Sequence, residues 1–292
     1  MAGADSDYFD RLEQFYDALP RPWARIEEIG SLVLFVREGD GWPYYARPRP
    51  GSRTPSAADL TQARARQREL GVPEAFEWVH ETTPDLLAVA RSAGLEVLLA
   101  PLLRLDPQAL VPDLPVLGAT IRALDPDSPG FPSDLVASRA VARLAFASPA
   151  YRSPLAIAEE SLIIEGAGPS ERNAATSVEL SDEAVASARA MLAGGDYRSV
   201  VVESPEEGIV ATGTSQRVGD VAEIAGVATL PSARGRGYAS QLTAVLARDL
   251  LNRGARLIFL TAGDDDVARL YTKVGFRRIG TACVAEPAAV PL

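Results

Sequence analysis

The sequence predicts a mixed α/β fold, antiparallel early and parallel around one glycine-rich turn. Three observations predict it. In the second half, hairpin-linked apolar runs come first, and strand-like runs alternating with helical periodicity follow. Between one such strand and one helix lies the turn Arg234-Gly235-Arg236-Gly237-Tyr238-Ala239-Ser240. The order of elements in the first 105 residues also resembles the last part of the second half.

Taken in order, the periodicities give a helix at 5–18, strands near 31–37 and 42–47, a helix at 56–70, a strand at 75–80, a helix at 84–93 and a strand at 95–103. The proline-rich DPQALVPDLPV (106–116) interrupts the pattern and is the expected linker. Beyond it a strand at 117–123 leads to an irregular stretch, LDPDSPGFPSD (124–134), a candidate loop over a site. Helices follow at 134–147 and 182–193. Strands at 197–204 and 208–217 flank a tight turn at Pro205-Glu206-Glu207. A strand at 221–230, a helix at 237–252, a strand at 256–261, a helix at 265–273 and a strand at 276–285 complete the chain.

Sliding the chain by 181 residues pairs Arg53 with Arg234, Asp85 with Asp266 and Gly94 with Gly275 without a gap. The first copy then lacks what the second has. Thr54-Pro55-Ser56 stands where the second copy has Gly235-Arg236-Gly237, and Pro55 removes a backbone donor. Ala90 stands where Tyr271 stands.

Composition narrows the function classes. The 292 residues are 47% hydrophobic, enough for ordinary cores, and no apolar run approaches the roughly 18 residues that cross a bilayer. The opening MAGADSDYFDRLEQ is acidic and polar, unlike a signal or transit peptide, so a cytoplasmic location is expected. A net charge of −10 argues against nucleic acid, whose binding rests on Lys and Arg. The single cysteine, Cys283, excludes an intrachain disulfide or a cysteine zinc cluster, and the single histidine, His80, disfavours a multi-histidine metal site. No metal is expected.

The turn at 234–240 has the chemistry of a phosphate seat. A strand, glycines and a helix start together present free N–H groups and the positive end of a helix dipole. Gly235 and Gly237 let the backbone approach a ligand without a Cβ in the way, and two arginines add charge. No lysine followed by Ser or Thr comes after the second glycine, and a third glycine is missing. Neither a Walker loop nor a dinucleotide fingerprint fits.

Downstream lies DDDVARLYTKVGFRRIG (264–280). With it the chain resembles the GNAT superfamily of N-acetyltransferases. Arg234, Gly237 and Ala239 satisfy the family's Gln/Arg-x-x-Gly-x-Gly/Ala loop. The preceding strand carries Val227-Ala228-Thr229, and ARLYTKVGF (268–276) is close to A-x-x-L-Y-x-x-x-G-F. The resemblance covers 221–280 well and, by element order, most of 117–285. It implies two GNAT-like halves: a degenerate domain at 1–112 and a catalytic one at 113–292.

The resemblance also implies roles. Backbone amides of Gly235, Arg236, Gly237, Tyr238, Ala239 and Ser240 would hold the pyrophosphate of acetyl-coenzyme A. Val227, Ala228 and Thr229 would pair with its pantetheine arm, and the amide near Val227 would face the thioester carbonyl. Tyr271 matches the family's acid for the leaving thiolate, and Glu223 stands where some members carry their base. The chemistry agrees: a carboxylate can accept the amine proton, and a tyrosine of ordinary pKa about 10 can protonate a thiolate. Many members have asparagine where this chain has Asp264, whose charge near a diphosphate is unfavourable unless it points at a backbone amide.

The expected activity is acetyl transfer to a primary amine by direct attack in a ternary complex. Expected partners are a small-molecule or peptide acceptor and at most a second copy of the chain. Two alternatives remain open: an acyl-coenzyme A-binding regulatory or scaffold protein without catalysis, and a nucleotide-binding protein that uses the loop for ATP.

Overall fold

Residues 2–39, 43–113, 115–147, 166–177 and 180–288 are described by a computed structural model. They fall into two units, residues 1–102 with 279–292, and residues 103–278.

The first unit opens with helix α1 (Ala2–Ala18) and a 3-10 turn at Arg21–Trp23. Strands β1 (Ala24–Ile29), β2 (Leu32–Arg37) and β3 (Ala46–Pro48), helix α2 (Ala57–Leu70), strand β4 (Phe76–Val79) and helix α3 (Leu86–Ser92) follow. Strand β5 (Leu95–Leu105) leaves the unit. The sequence did not reveal β1. Its residues read Ala-Arg-Ile-Glu-Glu-Ile and only the two ends are buried, so no alternation is visible. The expected strand at 42–47 shortens to β3, and position 42 lies outside the described residues. β1 and β2 form an antiparallel hairpin, β2 pairs antiparallel with β3, and β3 meets β4 in parallel at Ala46 and Phe76. The chain's last strand, β11 (Phe276–Pro287), returns to this unit and runs antiparallel to β4 from Ala282–Val79 to Ala285–Phe76. Leu32, Leu34, Leu60, Phe76, Trp78 and the lone Cys283 pack into one core.

The second unit holds β6 (Thr120–Ala123), helices α4 (Phe131–Phe146), α5 (Pro169–Ala175) and α6 (Asp182–Ala193), and strands β7 (Tyr197–Ser204), β8 (Gly208–Val218) and β9 (Val221–Thr229). Helix α7 (Tyr238–Asn252), strand β10 (Leu257–Thr261) and helix α8 (Asp265–Val274) complete it. Helix α4 starts three residues earlier than expected, because Pro132 sits in its first turn, where a missing N–H costs nothing. Helix α5 went unread, being only 7 residues long. β6, β7, β8 and β9 are successively antiparallel, and β9 and β10 are parallel. Helix α7 lies against β8 and β9 through Leu242, Leu246 and Leu250, spaced one turn apart and fully buried. Each contributes about 1.5–3 kcal/mol by leaving water.

The expected linker at 106–116 is not a free tether at its start. Asp106 N–H bonds to Gly275 O at 3.0 Å and Val111 N–H to Val274 O at 3.1 Å, fastening the segment to the end of α8. Gly275 permits this approach: a Cβ there would lie 2.6 Å from Ala109 O, and its φ of +121° is unsuited to other residues.

The offset of 181 recurs in the structure. Helix α2 begins at Ala57 and α7 at Tyr238, β4 at Phe76 and β10 at Leu257, β5 at Leu95 and β11 at Phe276. Three element starts separated by one constant make a far stronger repeat than the few shared residues.

Candidate functional site

The site residues expected from sequence all fall in the second unit, on β9, the turn after it, α7 and α8. Strand β9 positions the first group. Its register against β8 runs from Val218–Val221 to Thr214–Ala225, then resumes one residue displaced at Thr212–Ala228 and Ala211–Thr229. Gly226 and Val227 thus share the place opposite Gly213, which makes a β-bulge, and Gly226 adopts the left-handed φ of +61° that such a bulge needs. Gly213 is held small by packing, since a Cβ there would lie 2.4 Å from Leu242 Cδ2.

The bulge coincides with a parting of strands. The β9–β10 ladder runs from Val221–Leu257 to Glu223–Phe259 and stops, while β9 continues to Thr229 and β10 to Thr261. Among the described residues, the stretch from Ile224 to Thr229 keeps β8 on one side and has no strand bonded on the other. A bulge bends and twists its strand, which accounts for the divergence. The open edge carries backbone donors and acceptors able to pair with an extended amide-bearing chain.

This edge leads into the glycine turn. After a 3-10 turn at Pro231–Ala233, Gly235 and Gly237 take φ of +79° and +81°, and Gly237 is the residue before α7. No side chain caps α7. Its first N–H groups and its dipole therefore face outward without an internal acceptor from a capping side chain. Three buried side-chain atoms lack hydrogen-bond partners here: Thr229 Oγ1 and Thr261 Oγ1 at the ends of β9 and β10, and Gln241 Oε1 in the first turn of α7. An uncapped helix start, an open strand edge and orphaned polar atoms fit a ligand that carries phosphate at one end and amides along its length.

The arginines are less available than the sequence suggested. Arg234 donates to Ala145 O at 3.1 Å, in the last turn of α4. Arg236 pairs with the Glu207 carboxylate and donates to Ser232 O at 3.2 Å. Their charge is spent in part on holding the turn in shape. Tyr238 packs inward at 3% exposure, with the Arg236 guanidinium over its ring at 6.0 Å from the centroid.

Glu223 is half-buried on β9 and accepts a hydrogen bond from Gln216 Nε2 at 2.7 Å. Tyr271 faces inward from α8, 6% exposed, its ring edge-on to Phe276 at 6.2 Å. It belongs to the apolar cluster against which Val227 packs. Helix α8 is built for this orientation: Ala268, Tyr271 and Val274 recur at three-residue spacing on its buried face. Asp264 caps that helix, its Oδ1 accepting the Val267 N–H at 2.8 Å. The carboxylate points at a backbone amide, the arrangement under which its charge is tolerable. Cys283 is fully buried and its thiol is pushed up to about 12, mainly by burial, which makes it inert. Among the described residues, no group of three or more His, Cys, Asp and Glu side chains could hold a metal.

The corresponding turn of the first unit is closed. Ser56 caps α2 by accepting the Asp59 N–H at 3.2 Å, and Asp59 accepts the Ser56 N–H at 2.8 Å. Asp59 is buried, lies 3.6 Å from Arg53 and fills the space beside Gly30, where a Cβ would meet Asp59 Oδ1. Backbone bonds from Ser56, the largest favourable influence, hold this carboxyl below the ordinary aspartate range. The chain's own anion occupies the helix start that α7 leaves open.

Sequence reasoning missed Gly226, Gln216, Thr214 and Asp59. An isolated glycine within each of two strand patterns, Gly213 and Gly226, was the available signal for the bulge. The Ser56-x-x-Asp59 spacing before a helix was the signal for the closed cap.

Residues 170–276 match the Acetyltransferase (GNAT) family. No curated protein matches the sequence. Among solved structures, a GCN5-related N-acetyltransferase from Kribbella flavida is similar over 96% of both chains, with a TM-score of 0.65 and 23% identity. A GCN5-related N-acetyltransferase from Sphaerobacter thermophilus is similar over 93% of this chain and 86% of its own, with a TM-score of 0.56 and 14% identity. A tandem GNAT protein from the clavulanic acid biosynthesis pathway covers 89% of this chain and 80% of its own, with a TM-score of 0.50 and 15% identity. At these identities the likeness is one of fold.

Proposed function

From a chain that carries a GNAT acetyltransferase domain over residues 170–276, we propose an acetyl-coenzyme A-dependent N-acetyltransferase that acts on a primary amine. One observation carries the reading: β9 parts from β10 after Glu223 and runs on to Thr229, toward the uncapped start of α7. An edge able to pair with amides and a helix start able to hold phosphate lie along one continuous stretch of chain.

In this reading the amides of residues 235–240 bind the pyrophosphate, and Val227, Ala228 and Thr229 pair with the pantetheine. The Val227 amide stabilises the charge that develops on the thioester oxygen, the largest kind of contribution to acyl transfer. Glu223 takes the proton from the attacking amine, directly or through water, and Tyr271 gives a proton to the departing sulfur. The amine attacks in a ternary complex, and no residue of the chain is acylated. The first unit serves as scaffold, its own helix start filled by Asp59.

Calorimetry with acetyl-coenzyme A, followed by an amine panel read by thiol release, tests the proposal. Binding that is lost in Gly237→Val, with thiol release on at least one amine, is the expected result. Binding without turnover on any amine would favour a non-catalytic acyl-coenzyme A-binding protein, and binding of ATP that coenzyme A cannot displace would overturn the reading.

A further inference from the structure

We propose that Thr214 is a positioning residue, its hydroxyl latching the β9 bulge and so fixing the direction of the Val227 amide. The inference rests on the reading of Val227 as the donor to the thioester oxygen, and adds a residue that neither the sequence motif nor the fold assigns.

The bulge has a cost that something must offset. Where Gly226 and Val227 face the single residue Gly213, the regular ladder between β8 and β9 is broken, and backbone groups beside the break lose their partners. Thr214, the β8 residue next to the break, donates its Oγ1 hydrogen to Ala225 O at 3.0 Å. Ala225 is the last β9 residue in the first register, and Gly226 follows it directly. The side chain therefore bonds the carbonyl of the peptide that enters the bulge. Thr214 Oγ1 also stands 3.6 Å from where a Cβ on Gly226 would be, so the hydroxyl lies against the turn itself.

The latch has a directional consequence. Side chains alternate along a strand, so without the displacement Val227 would share the face of Glu223 and Ala225. With it, Val227 turns to the α7 side: its Cγ2 would lie 3.3 Å from a Cβ placed on Gly213, beside Leu242. Glu223, Gln216 and Thr214 keep to the other face. One inserted residue thus sets the carboxylate and the Val227 side chain on opposite faces and re-aims the peptide between them. Leu242 fixes the bulge from one side and Thr214 from the other.

Thr214→Val keeps the shape and removes the bond, whereas Thr214→Ser keeps the bond. Loss of a whole oxyanion donor costs about 10²–10³ in kcat, so misaiming one is expected to cost about tenfold or more. Thr214→Val should lower kcat by that factor with the acetyl-coenzyme A Kd changed less than about threefold, and Thr214→Ser should restore most of kcat. Full kcat in Thr214→Val, or equal loss in both variants, overturns the proposal. Amide hydrogen exchange on the free protein separates its failure from that of the catalytic reading. Residues 226–228 should exchange faster in Thr214→Val and at the parent rate in Thr214→Ser, whether or not any amine is turned over. Unchanged exchange in Thr214→Val overturns the latch even if the protein proves to be an acetyltransferase.

Discussion

Gln216 Nε2 donates to Glu223 Oε2 at 2.7 Å across the β8–β9 pair, at the last β9 position that also pairs with β10. The carboxylate is thus oriented by a neutral amide at the point where the sheet opens. An amide partner orients the carboxylate without cancelling its charge.

Glu223→Gln tests the proposed base role through pH. Around neutrality, kcat/KM is expected to fall about 10²-fold, the lower end of general acid–base contributions. As pH nears the acceptor's own pKa, about 10 for a lysine-like amine, the amine deprotonates unaided and the variant should close on the parent. A deficit that stays constant from pH 7 to pH 10 would count against the base.

Tyr271→Phe removes a hydroxyl and keeps the ring that packs edge-on to Phe276. The expected outcome is a loss of about 10²-fold in kcat, with acetyl-coenzyme A affinity within about threefold and a melting temperature close to the parent's. Near-normal turnover would reassign the residue to packing alone.

Asp59 predicts both a stoichiometry and a stability effect. With α2 closed by its own carboxylate, calorimetry should find one acetyl-coenzyme A per chain, and two would show that the first unit binds as well. Asp59→Ala should destabilise the protein by about 1 kcal/mol in denaturant titrations near pH 7, as expected for loss of a cap. Because the folded carboxyl is held below the ordinary aspartate value, its contribution is present above that value and lost as pH falls through the folded one. The parent and the variant should therefore converge in acid.

Glu286 on β11 behaves oppositely. Burial pushes its carboxyl up to about 7, so the folded chain keeps this proton at a pH where the unfolded chain has released it. Its favourable contribution is complete below the ordinary value of 4.5 and disappears as pH rises through about 7. Glu286→Gln, which cannot ionise, should lose less thermal stability than the parent between pH 5 and pH 8. An unchanged pH difference would refute the shift.

Much of the second unit was legible because its signals are local. Helical periodicity at 265–273 gives α8 to within one residue, and the apolar runs at 197–204 and 208–217 give β7 and β8. β1 was not legible, since its charged interior carries no alternation, and neither was the attachment of residues 106–111 to the end of α8. A proline-rich stretch reads the same whether it is tethered or free. Its bonds are made to residues some 160 positions away.

By itself the sequence determined the mixed fold, the glycine turn at 234–240 between a strand and a helix, and the difference between Gly237 and Ser56 at the start of two equivalent helices. These follow from side-chain period, glycine freedom and the donor that Pro55 lacks, all properties of neighbouring residues. Tertiary structure alone decided that Arg234 and Arg236 hold the turn in shape and that β9 leaves β10 after Glu223. Those outcomes depend on which strand registers and which helix ends come together. Only packing across the sheet, with Leu242 against Gly213 and Thr214 bonded to Ala225, fixes the one-residue displacement that opens the strand edge.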